Sequence, residues 1–348
     1  MSKIIVQDLT MQFDQFVAVN KVSFEVQQGE FVTLLGPSGC GKTTLLKMIS
    51  GFLTPTQGRI HIGGKDVTRT PPEDRDTALC FQSYALFPHM TVRGNLEFGL
   101  RQQRTPAGDR KARVSQIAVQ LSLEQQLGKL PNALSGGQQQ RVALGRALSM
   151  QPGVILFDEP LSNLDAKLRD QVRFEIKRIQ HENALTAVYV THDQSEALAL
   201  SDRVIVMRDG QIEQIATPED LYHTPATSFV ADFIGNANVM PAEVIGEADG
   251  GGWILDSKIG QLISRDPRDP QAKKINIAWR PELAHVTPEG PLSGTVVSRA
   301  FQGNFTDLHV VTQGQSYRLQ VPHSDVSVGD EVAFGLDAKD VLMLEPSR

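Results

Sequence analysis

The segment Gly36-Pro-Ser-Gly-Cys-Gly-Lys-Thr-Thr44 constrains this chain more than any other. It follows the apolar run Phe31-Val-Thr-Leu-Leu35, which reads as a buried strand, and leads into a helical run from Leu45 to Ser50 closed by Gly51 as a C-cap. Strand, glycine loop and helix in that order form a phosphate cradle. Glycines let backbone N–H groups turn inward, and the helix N-terminus adds partial positive charge. Gly36, Pro37, Ser38, Gly39, Cys40, Gly41 and Thr44 make up the loop, Lys42 reaches the outer phosphates, and the Thr43 hydroxyl can ligate Mg²⁺.

Further apolar runs, Val154-Ile-Leu-Phe157 and Ala187-Val-Tyr-Val190, alternate with helical stretches, as buried parallel strands with crossover helices do. The first of these ends in Asp158-Glu159, two acids at the carboxyl edge of a sheet, where open α/β folds bind ligands. Asp158 is the candidate to hold Mg²⁺, directly or through water, and Glu159 to polarise the attacking water as general base. His192 emerges at the same edge after the second run, beside Asp193, and is placed to orient Glu159, water and phosphate. The stretch from about Val92 to Met150 is mostly helical and reads as an insertion in this α/β domain.

After about Gly235 the long helical patterns give way to short β-like runs: Lys258 to Ile263, Lys274 to Trp279, Gly294 to Ser298, Asp307 to Val311, Tyr317 to Val321 and Glu331 to Leu336. They predict a small barrel or sandwich; an irregular tail on one continuous domain is the alternative. Two domains suit 348 residues. A net charge of −6 argues against a nucleic-acid partner. No stretch approaches the roughly 20 apolar residues that cross a bilayer, and Asp8 falls where a signal peptide would be apolar. With only Cys40 and Cys80, neither a disulfide framework nor a four-cysteine zinc site is available, and a reducing, cytosolic compartment is expected.

One further string narrows the class. Leu134-Ser-Gly-Gly-Gln-Gln-Gln-Arg141, heading a helix that begins near Gln138, resembles the signature of ABC ATPases. The resemblance implies a head-to-tail homodimer in which Ser135, Gly137 and Gln138 cap the γ-phosphate of ATP bound to the other subunit's Lys42. Gln82 matches the family's Q-loop glutamine, which contacts Mg²⁺ or water; Ser162-Asn-Leu-Asp165 matches the D-loop, with Asp165 expected to cross the dimer interface. Phe13 matches the aromatic that stacks on adenine, or is a core phenylalanine. Every hydrolytic position carries the family's usual residue type.

Gln82-Ser-Tyr-Ala-Leu-Phe-Pro-His-Met-Thr-Val92 resembles the form found in binding-protein-dependent importers, and the resemblance spans nearly all of residues 3–235. It implies an ABC-type ATPase domain over 1–235, with a helical subdomain at about 83–150, and a small all-β OB-like (TOBE-type) domain over 236–348. Ile277-Ala-Trp-Arg-Pro-Glu282 is similar to a recurring element of that second domain, which either regulates and dimerises or acts as a spacer. The implied partners are two transmembrane permease subunits and, indirectly, a periplasmic or extracellular solute-binding protein, at the cytoplasmic face of the inner membrane. Ala85 to Met90 is the candidate docking edge, or else a buried apolar turn. Resemblance in Phe157 to Asp165, Tyr189 to Ala197 and Phe233 to Asn238 leans towards ferric iron as cargo; polyamine, sulfate and aminoethylphosphonate are the alternatives. Cys40, at a helix N-terminus within the loop, is expected to be either an inert filler or a low-pKa thiol that ATP protects from alkylation.

Overall fold

The structure is a computed structural model that describes residues 2–270, 272–322 and 325–344. Met1 and residues 345–348, the outer ends of the two expected domains, lie outside the described residues. The chain divides into two compact units, Met1–Pro218 and Glu219–Arg348.

The first unit runs β1 (Ile4–Phe13), β2 (Phe16–Val26), β3 (Phe31–Leu35), α1 (Lys42–Ser50), β4 (Gln57–Ile62), β5 (Lys65–Asp66), β6 (Thr77–Cys80), α2 (Val92–Gln102), α3 (Ala107–Gln120), α4 (Gly136–Ser149), β7 (Val154–Asp158), α5 (Ala166–Glu182), β8 (Thr186–Thr191), α6 (Gln194–Leu200), β9 (Arg203–Arg208) and β10 (Gln211–Ala216). A six-stranded sheet has the order β10-β9-β3-β8-β7-β6 and is parallel except for the β10 edge.

Its central strands β3, β7 and β8 are buried almost end to end and mostly apolar because both faces are covered. Phe31, Ile155, Phe157, Ala187 and Tyr189 point to one face and join Leu96, Ile117, Val142 and Ile176 of α2 to α5. Val32, Leu34, Leu156, Val188 and Val190 alternate to the other and pack on α1 and on a separate antiparallel sheet, β2-β1-β4-β5. This sheet rests on a pattern that is hard to read, since bulges shift the β1–β2 register three times between Val6 and Gln12. Helix α1 starts at Lys42, three residues before its apolar run, and stops at Gly51, whose φ of 88° forms the C-cap. The buried Arg75 guanidinium donates to Met48 O and Ile49 O, each at 2.7 Å, and so satisfies the last carbonyls of that helix. No helix among the described residues is long and apolar enough to cross a membrane.

The second unit holds two short helices, α7 (Pro218–His223) and α8 (Ser228–Phe233), then β11 (Asn238–Glu247), β12 (Trp253–Ser257), β13 (Gly260–Ser264), β14 (Lys274–Trp279), β15 (His285–Val286), β16 (Leu292–Phe301), β17 (Thr306–Thr312), β18 (Gln315–Val321), β19 (Glu331–Gly335) and β20 (Leu342–Leu344). Two five-stranded sheets, β13-β12-β11-β14-β20 and β15-β19-β16-β17-β18, share one core built around Leu255, Ile277, Trp279, Leu308, Leu319 and Phe334. The barrel-or-sandwich expectation thus resolves into two curled antiparallel sheets over a common interior. The division falls before Gly235 because Arg280 ties both helices to this unit: its guanidinium donates to the carbonyls of Tyr222, Ala231 and Ile234.

Candidate active site

The loop between β3 and α1 is shaped by three glycines. At Gly36 a Cβ would sit 2.3 Å from Met207 O and 2.8 Å from Cys40 Sγ; at Gly41, φ 101°, it would sit 2.4 Å from Ala18 O. Gly39, φ 82°, faces open space. The loop is therefore pressed against β2 and β9 and turns its outer side to solvent. Helix α1 has no side-chain cap, so its first N–H groups are the unmatched donors with which every helix begins.

Lys42 leads this helix at 5 % exposure. Its Nζ donates to Gly36 O and Pro37 O, both at 2.8 Å, and lies 3.7 Å from Cys40 Sγ. Among the described residues no carboxylate pairs with it. A buried ammonium without a counter-anion, beside free helix amides, has the chemistry of a site for a polyanion. Thr43 donates its hydroxyl to Asp158 Oδ1 at 3.3 Å. Burial raises the Asp158 pKa and neighbouring Glu159 adds to this, against the opposing effects of Thr43 and Lys47. A hydroxyl and a half-desolvated carboxylate next to a phosphate cradle fit Mg²⁺, a hard cation that takes few protein oxygens and keeps phosphates and waters as its other ligands.

Glu159 follows at the strand end with a φ of 45°, an uncommon conformation for a residue with a side chain. Its amide donates to Val190 O at 3.0 Å, and its Oε2 lies 3.2 Å from His192 Nδ1. Strands β7 and β8 thus bring together the two residues expected to handle water. Gln82 sits nearby, on a different partner: its Nε2 donates to Ser162 Oγ at 3.1 Å, and Asn163 Nδ2 donates to Gln82 O at 3.0 Å. The Q-loop is therefore joined to the D-loop. Beyond Gln82, Tyr84 and Ala85 both have positive φ and are held by Arg146, which donates to their carbonyls at 3.2 and 2.6 Å. In the candidate docking edge Ala85, Pro88 and His89 are exposed, whereas Leu86, Phe87 and Met90 are half-buried, so the segment is not a buried turn.

Ser135 caps α4, which begins at Gly136 rather than near Gln138, in a reciprocal capping box: Gln138 N donates to Ser135 Oγ at 3.4 Å and Ser135 N to Gln138 Oε1 at 3.0 Å. Gly137 has a packing reason, because a Cβ there would lie 2.8 Å from Leu168 Cδ1. Asp165 caps α5 by accepting from Leu168 N at 3.0 Å. Ser135, Gln138 and Asp165 thus find their partners locally and do not reach the loop around Lys42 within one chain. Phe13, 43 % exposed, pairs with Phe16 at the β1–β2 hairpin; the same β2 brings Ala18 against Gly41, which places an exposed ring on the strand pair flanking the loop. It is not a core phenylalanine.

One expectation is overturned. The Cys40 thiol is buried, and burial raises its pKa more than Lys42 and the loop amides lower it. The helix N-terminus does not make it a reactive thiolate.

The ABC transporter family pattern matches residues 19–162, and the TOBE domain pattern matches residues 277–344. The Fe(3+) ions import ATP-binding protein FbpC of Brucella suis is 46 % identical over 310 residues, covering 88 % of this chain and 87 % of that protein. The chain belongs to the ABC transporter ATP-binding family. It is an ATPase of that family. The spermidine/putrescine import ATP-binding protein PotA of Mesorhizobium japonicum is 43 % identical over 344 residues, 94 % of this chain and 93 % of that one. Among solved structures, the ATP-binding cassette MJ0796, in a dimeric post-hydrolysis state bound to ADP and Pi, matches with a TM-score of 0.55 at 30 % identity, over 62 % of this chain and 98 % of that one.

Sequence reasoning missed the links between motifs. Gln82 to Ser162, Arg146 to Tyr84 and Ala85, and Arg169 to Asp193 at 3.2 Å each join residues far apart in the chain. No periodicity or short motif announces such pairs.

Proposed function

We propose that this ABC ATPase is the energy-coupling subunit of a solute importer, acting as a homodimer on the cytoplasmic face of the membrane with two transmembrane permease subunits and a solute-binding protein. The observation that carries the reading is the buried, uncompensated charge of Lys42 next to Thr43 and Asp158, with the Glu159–His192 pair at the same sheet edge. ATP is the anion that Lys42 and the α1 amides receive, and Phe13 offers its adenine a face. Mg²⁺, held by Thr43 and Asp158, would neutralise charge on the outer phosphates.

Glu159 then accepts the proton of the attacking water, and His192 Nδ1 fixes the carboxylate that does so. Ser135, Gly137 and Gln138 of a second copy supply the opposing amides and hydroxyl. Gln82, through Ser162, ties this chemistry to the segment 85–90, where the permease docks.

Glu159→Gln tests the reading in the full chain. It should bind ATP, accumulate as a nucleotide-bound dimer on size exclusion and lose phosphate release. Undiminished turnover, or a monomer at saturating MgATP, overturns it. Ferric iron is the cargo that the 46 % identity to FbpC favours. In proteoliposomes with its permease and binding protein, Fe³⁺ should stimulate hydrolysis. Stimulation by spermidine instead would move the assignment to the polyamine group, represented by PotA.

A further inference from the structure

A polar cavity of about 80 Å³ lies behind His192, walled by Glu159, Ser162, Arg169, Thr191, Asp193 and Glu196. Its far wall is rigid. Glu196 is 3 % exposed and accepts from the Tyr189 and Thr191 hydroxyls, both at 2.8 Å. Asp193 caps α6 through the amides of Ser195 and Glu196. Across the cavity stands Arg169, from the first turns of α5. Its Nη2 donates to Leu164 O at 3.2 Å, its Nη1 to Asp193 Oδ2 at 3.2 Å, and its Nε, with no hydrogen-bond partner among the described residues, lies 3.9 Å from Glu196 Oε1.

Leu164 belongs to the D-loop and Asp193 adjoins His192, so one planar guanidinium spans the two segments that flank the Glu159–His192 pair. Among the described residues no other charged side chain bonds both. A fork of fixed geometry can hold two loops in register, which a point charge on a flexible stem cannot.

We propose that Arg169 is a positioning residue for ATP hydrolysis: by clamping Leu164 O to Asp193 it holds His192 at its contact with Glu159 and couples D-loop placement to the general base. The inference rests on the reading of Glu159 as that base. His192 itself is 59 % exposed on its side chain, so little else packs it into place. Arg169 touches neither phosphate nor water in this scheme, and acts only through its neighbours.

The test is MgATP turnover by the purified full chain. Arg169→Ala should lower kcat by on the order of 10²-fold while KM for ATP stays within about twofold, because misplacing a base damages the chemical step and not binding. Guanidinium ion at concentrations well below denaturing should restore several-fold of the Arg169→Ala rate, since the truncation enlarges a cavity already walled by the carboxylates of Glu159, Asp193 and Glu196. It should do nothing for Glu159→Gln. Arg169→Lys should recover only part of the rate. Asp193→Asn, which keeps the α6 cap but not the charge, should reproduce the loss, and the double variant should lose no more than either single one.

Normal kcat in a folded Arg169→Ala chain, or a raised KM at normal kcat, overturns the inference. A rate loss that guanidinium leaves untouched and that follows a lowered melting temperature also overturns it, in favour of a purely structural role. Full turnover by Glu159→Gln is a separate failure, which sinks the hydrolytic reading itself, whereas normal Arg169→Ala beside a dead Glu159→Gln sinks the Arg169 inference alone.

Discussion

Lys42→Met separates a cation waiting for a ligand from one that stabilises the fold. Truncating one partner of a buried ion pair costs about 3–5 kcal/mol, because the other charge is left stranded. Lys42 has no such partner: it is 5 % exposed and holds two carbonyl oxygens at 2.8 Å. Those two charge-assisted hydrogen bonds return about 1.5–3 kcal/mol each, against several kcal/mol for desolvating the ammonium. The two sides nearly cancel. Methionine, of similar length, should therefore change the stability of the nucleotide-free protein by no more than about 1 kcal/mol, or roughly 2–4 °C in melting temperature for a unit of this size. Nucleotide reveals the difference. At about 100 times its Kd, MgATP stabilises the wild type by about 2.7 kcal/mol, which corresponds to roughly 5–11 °C. Lys42→Met should show no shift. Thermal melts of both proteins with and without MgATP make the comparison. A nucleotide-free loss of 3 kcal/mol or more would reveal a hidden ion pair, and a retained MgATP shift would remove Lys42 from the site; either result refutes the reasoning.

Gly36→Ala should cost more than about 3 kcal/mol, because its Cβ meets the β9 backbone at Met207 O with no flexible atom to yield. Gly39→Ala, with free space but a φ of 82°, should cost only about 1–3 kcal/mol; urea melts would contradict this if the order reversed. Asp158 has a native pKa raised by burial, so its contribution to stability is present below its unfolded pKa and is lost as pH rises through the native value. In Mg-free buffer Asp158→Asn should thus be more stable than wild type near pH ~7 and lose that advantage as pH falls through the raised native pKa to the ordinary aspartate range, where the carboxyl is protonated folded and unfolded alike; an advantage that does not change with pH would contradict the assignment. Cys40, its pKa raised by burial, should react with iodoacetamide more slowly than a free thiol at neutral pH and accelerate as pH increases. Labelling at a free-thiol rate, followed by mass spectrometry, would restore the reactive-thiolate expectation.

The features legible in the sequence are those whose chemistry is contiguous. Gly36 to Thr44, Asp158-Glu159 and Leu134 to Arg141 each carry their function in one short stretch, bounded by apolar runs that a covered parallel sheet requires. The β1–β2–β4 sheet was illegible for a physical reason: successive register shifts leave Gln7 and Asp8 exposed in a row and Leu9, Thr10 and Met11 buried in a row, so β1 has no period of two. The early division between the units depends on Arg280 reaching back to Tyr222 and Ile234, a contact that sequence distance conceals. Cys40 misled because the helix N-terminus is a local cue, whereas the burial that outweighs it comes from packing against distant strands. Short-range signals locate the site, and long-range packing sets the charge states within it.

The two halves of the proposed composite site are prepared in opposite ways, which bears on how ATP drives closure. The Lys42 half is short of counter-charge: an ammonium without an anion, and a carboxylate at Asp158 whose burial disfavours its ionised form. The Ser135 half is already satisfied, but loosely, since Gln138 N reaches Ser135 Oγ at 3.4 Å, near the limit of a useful hydrogen bond. Freeing that hydroxyl for a phosphate oxygen costs no more than a fraction of the ~1 kcal/mol that an N-cap contributes. In the proposed dimer nucleotide would bind first to the half with unmet charge, and the capped helix of the second copy would follow at little expense. The order of events follows from where the charges are left unpaired: a dimer closing before nucleotide arrives would set the cationic loops against helix N-termini of the same sign.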